Sequence, residues 1–216
     1  MFKNFKLSRD IAIDLGTATV HVHAQDQGIV IREPSVVAID KATDKVIKVG
    51  REAQEMMGRS PDGIFTLRPL KNGEINEYEV TYKMLQYFIR RASGKSILSP
   101  RIILALPAGI SEIEERAIHE AAAEAGARKT YTVSSPIAAA LGAGLNVKSP
   151  VGNMIVDIGG GVSQVAVISL GGIVVSKTIK IGGDSFDEAI VRYLADAYGL
   201  VIGERTAEGI KRKISW

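Results

Sequence analysis

Apolar and polar residues alternate from Arg9 to Ile39 as strand, turn, strand, turn, strand, with Gly28 and Glu33-Pro34 as punctuation. The pattern predicts a meander. Alternation resumes from Val46 to Val49, and then Glu52 to Met57 and the Pro61-Asp62-Gly63 turn break the strand rhythm. Val80, Met84, Tyr87, Phe88 and Arg91 stand three and four apart and precede Gly94, which predicts a helix closed by that glycine. Arg101 to Leu106 reads as a buried strand ended by Pro107.

Helix signals dominate the next stretch. Ser111 and Glu114 have the spacing of a capping box, Ile113, Ala117, Ala121 and Ala125 make the inner stripe, and Gly126 supplies the stop. Ser135 as N-cap and Pro136 as first helical residue predict a second helix, rich in small residues, reaching Leu145. Met154 to Val175 is apolar enough to suggest a membrane span. It nevertheless holds Asp157, Gln164, two serines and five glycines, so it reads as two strands and a turn. Gly182-Gly183-Asp184 leads into a helix whose apolar face includes Phe186, Ile190, Tyr193 and Leu194 and which Gly199 ends. A last helix runs from about Thr206, weakened at Gly209 by roughly 1 kcal/mol relative to alanine.

The order is three strands, a mixed insert, a strand, two helices, and a second strand meander with its own helix, which is a duplicated α/β plan. The first half is expected at 1–150, with a small inserted subdomain at about 40–95, and the beginning of a second half at 151–216.

Each copy carries one phrase of chemical interest, Ile13-Asp14-Leu15-Gly16-Thr17-Ala18-Thr19 and Val156-Asp157-Ile158-Gly159-Gly160-Gly161-Val162. In both, an aspartate near the end of an apolar run is followed by a glycine turn. Such a turn lets backbone N–H groups approach an anion with no Cβ in the way. A carboxylate at a buried strand end is costly without a cation or donor, and a hydrated magnesium ion bridging phosphates is such a partner. One phrase alone fits a plain hairpin; two facing clamps would grip one nucleotide.

Composition narrows the class without changing it. A chain of 216 residues, 46% hydrophobic and 24% charged, can bury a good core. There is no cysteine, hence no disulfide framework or thiolate site. The net charge of +3, spread among acidic residues, argues against nucleic acid as a partner. The segment after Met1 reaches Arg9 and Asp10 before any apolar run long enough for a secretory signal, so the expected location is inside the cell. His21 and His23 share one strand face, where either a metal site or two ordinary side chains fit the pattern.

Together with the two phrases, Glu33-Pro34-Ser35-Val36-Val37-Ala38-Ile39-Asp40, Arg68-Pro69, Val165 to Gly171, Gly182-Gly183-Asp184 and Ile202 to Glu208 carry a family resemblance. Over essentially its whole length the chain resembles MreB, the bacterial actin-like cell-shape family. The two glycine phrases recur in sugar kinases and DnaK-type chaperones, whereas Gly203 to Glu208 is particular to MreB-like proteins.

The resemblance implies an actin-like ATPase (ribonuclease H-like) fold of the α/β class, with the first half complete and the second only partly present. It implies ATP and magnesium between the halves and head-to-tail filaments on the cytoplasmic, inner face of the cell membrane, where they organise cell-wall synthesis and rod shape. Thr17, Ala18 and Thr19 would form one phosphate turn and Gly160, Gly161 and Val162 the other, with Glu208, Gly209, Ile210 and Lys211 on the ribose and base side. Asp14 and Asp157 would hold magnesium through water. Phe2 and Phe5, interleaved with lysines, and the apolar pair Ile97 and Leu98 are the segments expected to meet the membrane, a solvated terminus and a packed loop being the alternatives.

Three departures qualify the resemblance. The glutamate that usually precedes the helix-opening proline and orients the attacking water is Ser135 here, and the usual threonine of the second turn is Val162. The family's third glycine-rich turn, which closes over adenosine, is missing. Binding with impaired hydrolysis is therefore expected; a paralogue that modulates filaments of a full-length relative without hydrolysing ATP is the alternative. A small-molecule kinase would need an acidic base facing a sugar pocket, and a chaperone a peptide-binding domain after the second half.

Overall fold

The computed structural model describes residues 10–94 and 98–214. β1 (Ile11–Leu15), β2 (Thr19–Ala24) and β3 (Gly28–Pro34) form the antiparallel meander. β4 (Val37–Asp40), β5 (Lys45–Val49), α1 (Arg51–Met56) and β6 (Ile64–Leu67) follow, then the short hairpin β7 (Leu70–Lys71) and β8 (Glu74–Ile75) and the long helix α2 (Tyr78–Ser93). β9 (Arg101–Leu106), α3 (Glu112–Glu124), β10 (Lys129–Ser134) and α4 (Ser135–Gly142) complete the first half. The second copy is β11 (Asn153–Ile158), β12 (Ser163–Ser169), β13 (Gly172–Ile179), α5 (Gly183–Tyr198) and α6 (Glu204–Ile214).

The main sheet has the order β10-β9-β1-β2-β3, with β9 and β10 parallel to β1. Its strands are apolar on the face that α2 and α3 cover, so Ile11, Ile13, Val20, Val22, Ile102 and Leu104 share one core with Met84, Leu85 and Phe88 of α2 and Ile118 and Ala122 of α3. Within the segment expected as an insert, β5-β4-β6 forms its own sheet, while α2 packs on the main one. The second sheet, β11-β12-β13, carries a smaller core against α4, built on Ala140, Val147 and Ile168. Its outer face leaves Met154, Val156 and Val175 exposed.

Several expectations change, among them the end of α4, which stops at Gly142 and not at Leu145. Lys129–Ser134, unassigned by the pattern, pairs with β9 from Lys129↔Arg101 to Ser134↔Leu106. It is an edge strand whose polar alternation hid it. Because that strand runs to Ser134, the N-cap of α4 is Ser134 and Ser135 is its first helical residue; no side chain caps it. On α3 the buried stripe is Ile118, Ala121, Ala122 and Ala125, and Ile113 is 82% exposed. Five residues separate Ile113 from Ile118, which turns the helix by about 140° and puts them on different sides. Finally, Met154 to Val175 spans parts of three strands, because Leu170 and Gly171, with φ of 50° and 78°, make a tight hairpin turn that a leucine does not advertise. The apolar residues expected inward on α5 are partly outward as well, with Phe186 and Tyr193 exposed.

Three other signals hold. Ser111 caps α3, accepting from Glu114 N and pairing with the Glu114 carboxylate in a full capping box. Gly94 ends α2 and Gly199, left-handed at φ 65°, ends α5.

The burial of α3 has a measurable consequence. Ile118→Ala is expected to cost about 2–5 kcal/mol in urea unfolding, whereas Ile113→Ala should change stability by less than about 0.5 kcal/mol. Equal losses would mean that the helix faces the core differently.

Candidate functional site

Both glycine turns lie at the ends of hairpins, and each is held by its carbonyls. In the first turn the buried Ser35 donates its hydroxyl to Gly16 O (2.6 Å) and its N–H to Ala18 O (3.0 Å). In the second, the first N–H groups of α5 take the carbonyls: Gly183 N donates to Gly159 O (2.9 Å) and Asp184 N to Gly160 O (2.8 Å). A trans peptide sets its C=O and N–H on opposite sides. With those carbonyls committed, the N–H groups of Thr17, Thr19, Gly160 and Gly161 point away from Ser35 and from α5.

The turns meet. A Cβ at Gly160 would lie 2.5 Å from Ala18 Cβ, and one at Gly161 2.6 Å from Thr17 Oγ1, so neither position has room for a side chain. The tip of the β7–β8 hairpin completes this cluster. Gly73 N donates to the buried Thr17 hydroxyl (3.0 Å), and the position of its missing Cβ is 3.1 Å from Val162 Cγ1. Thus Thr17, Ala18, Gly160, Gly161 and Val162, far apart in the chain, are brought together, and Thr19 begins β2 beside them.

Asp14 and Asp157 occupy equivalent strands, opposite His21 and Gln164 respectively. The Asp14 side chain is 57% exposed, and the protein packed around it still removes part of its hydration. That desolvation raises its pKa; His21 pulls it back, and the negative charge of Asp157 pushes it further up. Two carboxylates that sense each other's charge would share a cation, and a magnesium ion keeping its water shell needs only one or two of them plus phosphate oxygens. No group of three or more His, Cys, Asp and Glu fit for a metal occurs among the described residues. His21 is engaged elsewhere, its Nδ1 3.6 Å from Asp14 Oδ2 and its Nε2 accepting from Arg32 Nε (3.0 Å).

Beside the turns opens a cleft of about 470 Å³, lined on one side by Thr17, Arg68 and Asn72 and on the other by Asp184, Asp187 and Glu208. Of the four α6 positions expected on the ribose and base side, Glu208 lines the cleft and pairs with Arg212 (2.8 Å). Gly209 and Ile210 do not line it, and Lys211 is tied to Asp187 Oδ2 (2.7 Å) and Gly183 O (2.9 Å). Ser135 opens α4 at the edge of the main sheet where β1, β9 and β10 all end. Leu98 is 39% exposed; Phe2, Phe5 and Ile97 lie outside the described residues.

Several residues that matter to this site carry no local signal. Gln164, buried on β12, accepts from Ala108 N (2.7 Å), and Thr178 on β13 donates to Ala108 O (3.1 Å), so the loop after β9 is stitched to the second sheet. Arg68 pairs with Asp184 across the cleft (2.9 Å), and Lys180 with Glu74 (2.6 Å). Ser35 stands as a lone hydroxyl before the apolar run Val36-Val37-Ala38, and Gln164 as a lone amide within one; a polar residue inside an apolar strand is the one clue that was available.

The family model described as MreB/Mbl protein matches residues 8–216. The chain is 50% identical over 209 residues to the cell shape-determining protein Mbl of Bacillus subtilis (strain 168), covering 96% of this chain and 63% of that protein. It is 49% identical over 222 residues to the cell shape-determining protein MreB of Escherichia coli (strain K12), covering 99% and 64%. The crystal structure of MreB5 of Spiroplasma citri bound to ADP superposes with a TM-score of 0.89 at 38% identity, over 95% of this chain and 62% of that one. The same protein bound to AMPPNP gives 0.89 at 37%, over 97% and 63%. The chain therefore spans less than two thirds of the length of these relatives. The MamK double helical filament, at 21% identity and a TM-score of 0.81 over 97% and 66%, shares the fold.

The raised Asp14 gives a pH signature. An acid whose folded pKa lies above its unfolded value favours folding when protonated, so it lowers stability as pH rises through that window from about 3.8 upward. Without a bound cation, Asp14→Asn should therefore melt at a higher temperature than the unaltered chain at pH 7, with the gap closing as the pH falls toward 4. A gap that stays constant with pH would remove the carboxyl from this account.

Proposed function

This chain belongs to the MreB/Mbl family and has its actin-like fold, and on that premise we propose that it binds ATP with magnesium where its two glycine turns meet. The observation that carries the reading is the commitment of the turn carbonyls to Ser35 and to α5, which leaves N–H groups of both turns free of those anchors at a place with no room for a Cβ. Backbone donors converging from two turns are what a run of phosphates requires. The residues fit the group: Thr17, Ala18 and Thr19 meet it from one half and Gly160, Gly161 and Val162 from the other. Asp14 and Asp157 hold the hydrated magnesium, which offsets phosphate charge. The ADP and AMPPNP carried by MreB5 of Spiroplasma citri support the same ligand class here.

Binding and hydrolysis separate at Ser135. A serine at the start of α4 cannot act as the carboxylate that orients water, and Val162 offers an isopropyl group instead of a hydroxyl, packed on the tip of the β7–β8 hairpin. A water-positioning group is worth about 10²–10⁴-fold in rate. The chain accordingly holds ATP and turns it over slowly.

The biological role we propose follows from the family: self-association into filaments at the inner face of the cell membrane, which guide cell-wall synthesis and rod shape. The relatives' names as cell shape-determining proteins support it. Exposed Leu98, next to Ile97 in the loop after α2, supports a membrane contact that Phe2 and Phe5 would share. None of the described helices is long and apolar enough to cross a membrane.

Saturating magnesium-ATP should raise the melting temperature, since ligand at 100 times its Kd adds about 2.7 kcal/mol to stability; no shift in a folded chain would refute nucleotide binding. Ser135→Glu should release phosphate at least about 10²-fold faster than the unaltered chain. Equal rates would show that the serine is not limiting. Electron microscopy with and without ATP tests assembly: ATP-dependent filaments are expected, and none under any nucleotide would argue for the modulator role instead. Pelleting with anionic liposomes should fall when Phe2, Phe5, Ile97 and Leu98 are replaced by serine.

A further inference from the structure

Among the described residues, β5 is the edge strand of its sheet, with β4 as its one neighbour. Its register shifts at Ile47: Val46 stands opposite Ile39 and Lys48 opposite Ala38, so Ile47 has no counterpart on β4. A groove of about 700 Å³ opens beside this strand, with α2 as its other wall. Every residue from Val46 to Val49 lines it. Side chains of a strand alternate between faces, so an unbroken run on one wall brings backbone there as well. An open edge carries unpaired N–H and C=O groups, on which another strand can add.

The opposite wall is cationic. Lys83, Tyr87 and Arg90 recur at helical spacing on α2, and all three are exposed. Lys48 is paired with Glu52, the one acidic residue lining the groove, and Arg91 with Glu33 (3.0 Å). Lys83 and Arg90 make no ion pair among the described residues; the Lys83 ammonium lies over the Tyr82 ring, 4.7 Å from its centroid. Lysines on an edge strand can serve merely to keep it from pairing with copies of itself. That leaves the unpaired cations of α2 unexplained. Ile47 and Tyr87, 41% and 38% exposed, add apolar surface on either wall. A lipid surface would neutralise the cations but offers no N–H to the carbonyls of β5, whereas an acidic peptide offers both.

We propose that this groove docks an extended, acidic segment of a partner protein, which adds as a strand to the free edge of β5 and sets its carboxylates against Lys83 and Arg90. The groove shares no lining residue with the nucleotide cleft, so the inference stands apart from the nucleotide reading.

Fluorescence polarisation of a labelled short peptide of alternating glutamate and valine, titrated with the full chain at low salt, tests this. Saturable binding is expected. It should weaken about tenfold or more when lysine replaces the peptide's glutamates, and likewise when proline, which lacks the ladder's N–H, replaces its central valine. Lys83→Glu combined with Arg90→Glu, both on the exposed face, should leave the melting temperature nearly unchanged and transfer the preference to the lysine peptide. No binding of the acidic peptide overturns the proposal. Equal binding of the proline peptide overturns strand addition and the proposal with it, as does binding that the double variant leaves unaltered. Anionic liposomes that pellet the unaltered chain but not the double variant, in the absence of peptide binding, would assign the cations to a lipid surface and also overturn it.

Discussion

A peptide plane offers its carbonyl to one side and its N–H to the other, and that constraint organises this molecule. Each glycine turn can face a ligand with its N–H groups only if something else takes its carbonyls. Ser35 does this for the first turn, with hydroxyl and backbone N–H together, and the start of α5 does it for the second. The two anchors are unlike in chemistry but equivalent in effect. One is a buried side chain reaching from the end of the meander; the other uses N–H groups that any helix leaves unpaired at its first turn. The glycines are then obligatory at Gly160 and Gly161, because the opposing turn occupies the space of a side chain.

The rest of the fold keeps those turns in register. The main sheet fixes the first through the Asp14↔His21 and Asp14↔Ala105 pairings, and the small sheet fixes the second through Asp157↔Gln164. Between the sheets the links are polar: Gln164 and Thr178 to the loop at Ala108, Arg68 to Asp184, and Lys180 to Glu74. Hydrogen bonds and partly exposed ion pairs contribute modestly each, while an apolar core strongly resists separation. α4 ties the small sheet's apolar core to the first half, while the cleft itself is crossed by polar links, and a ligand that bridges the cleft can change how firmly its walls hold together.

Ser135 and Val162, where the proposed function differs from the usual family pattern, leave the architecture alone. Position 135 is the first helical residue of α4, where a serine is well tolerated, and Val162 packs against the hairpin tip at Gly73. Both changes leave the turns and the aspartates in place. In the function proposed above, the turns and the aspartates serve nucleotide binding, and positions 135 and 162 bear on turnover.

The elements were legible in the sequence wherever the causes are local: the capping box at Ser111 and Glu114, the glycine stops at Gly94 and Gly199, and the alternating strands of both meanders. The two Asp-Gly phrases and the family motifs were equally plain. Strand β10 was not, because its polar alternation acquires meaning only beside β9, and the inward face of α3 was misjudged because periodicity defines a stripe without saying where the sheet lies. Ser35, Arg68, Gln164 and Asp187 were invisible as site residues for a related reason. Their roles are contacts with partners far along the chain, and a hydroxyl, a guanidinium or a carboxylate has no periodicity to betray it. The sequence by itself determined which segments fold and what chemistry they carry. Tertiary structure decided which carbonyls are taken and which side chains from distant segments meet at the cleft, because those contacts join residues far apart in the chain.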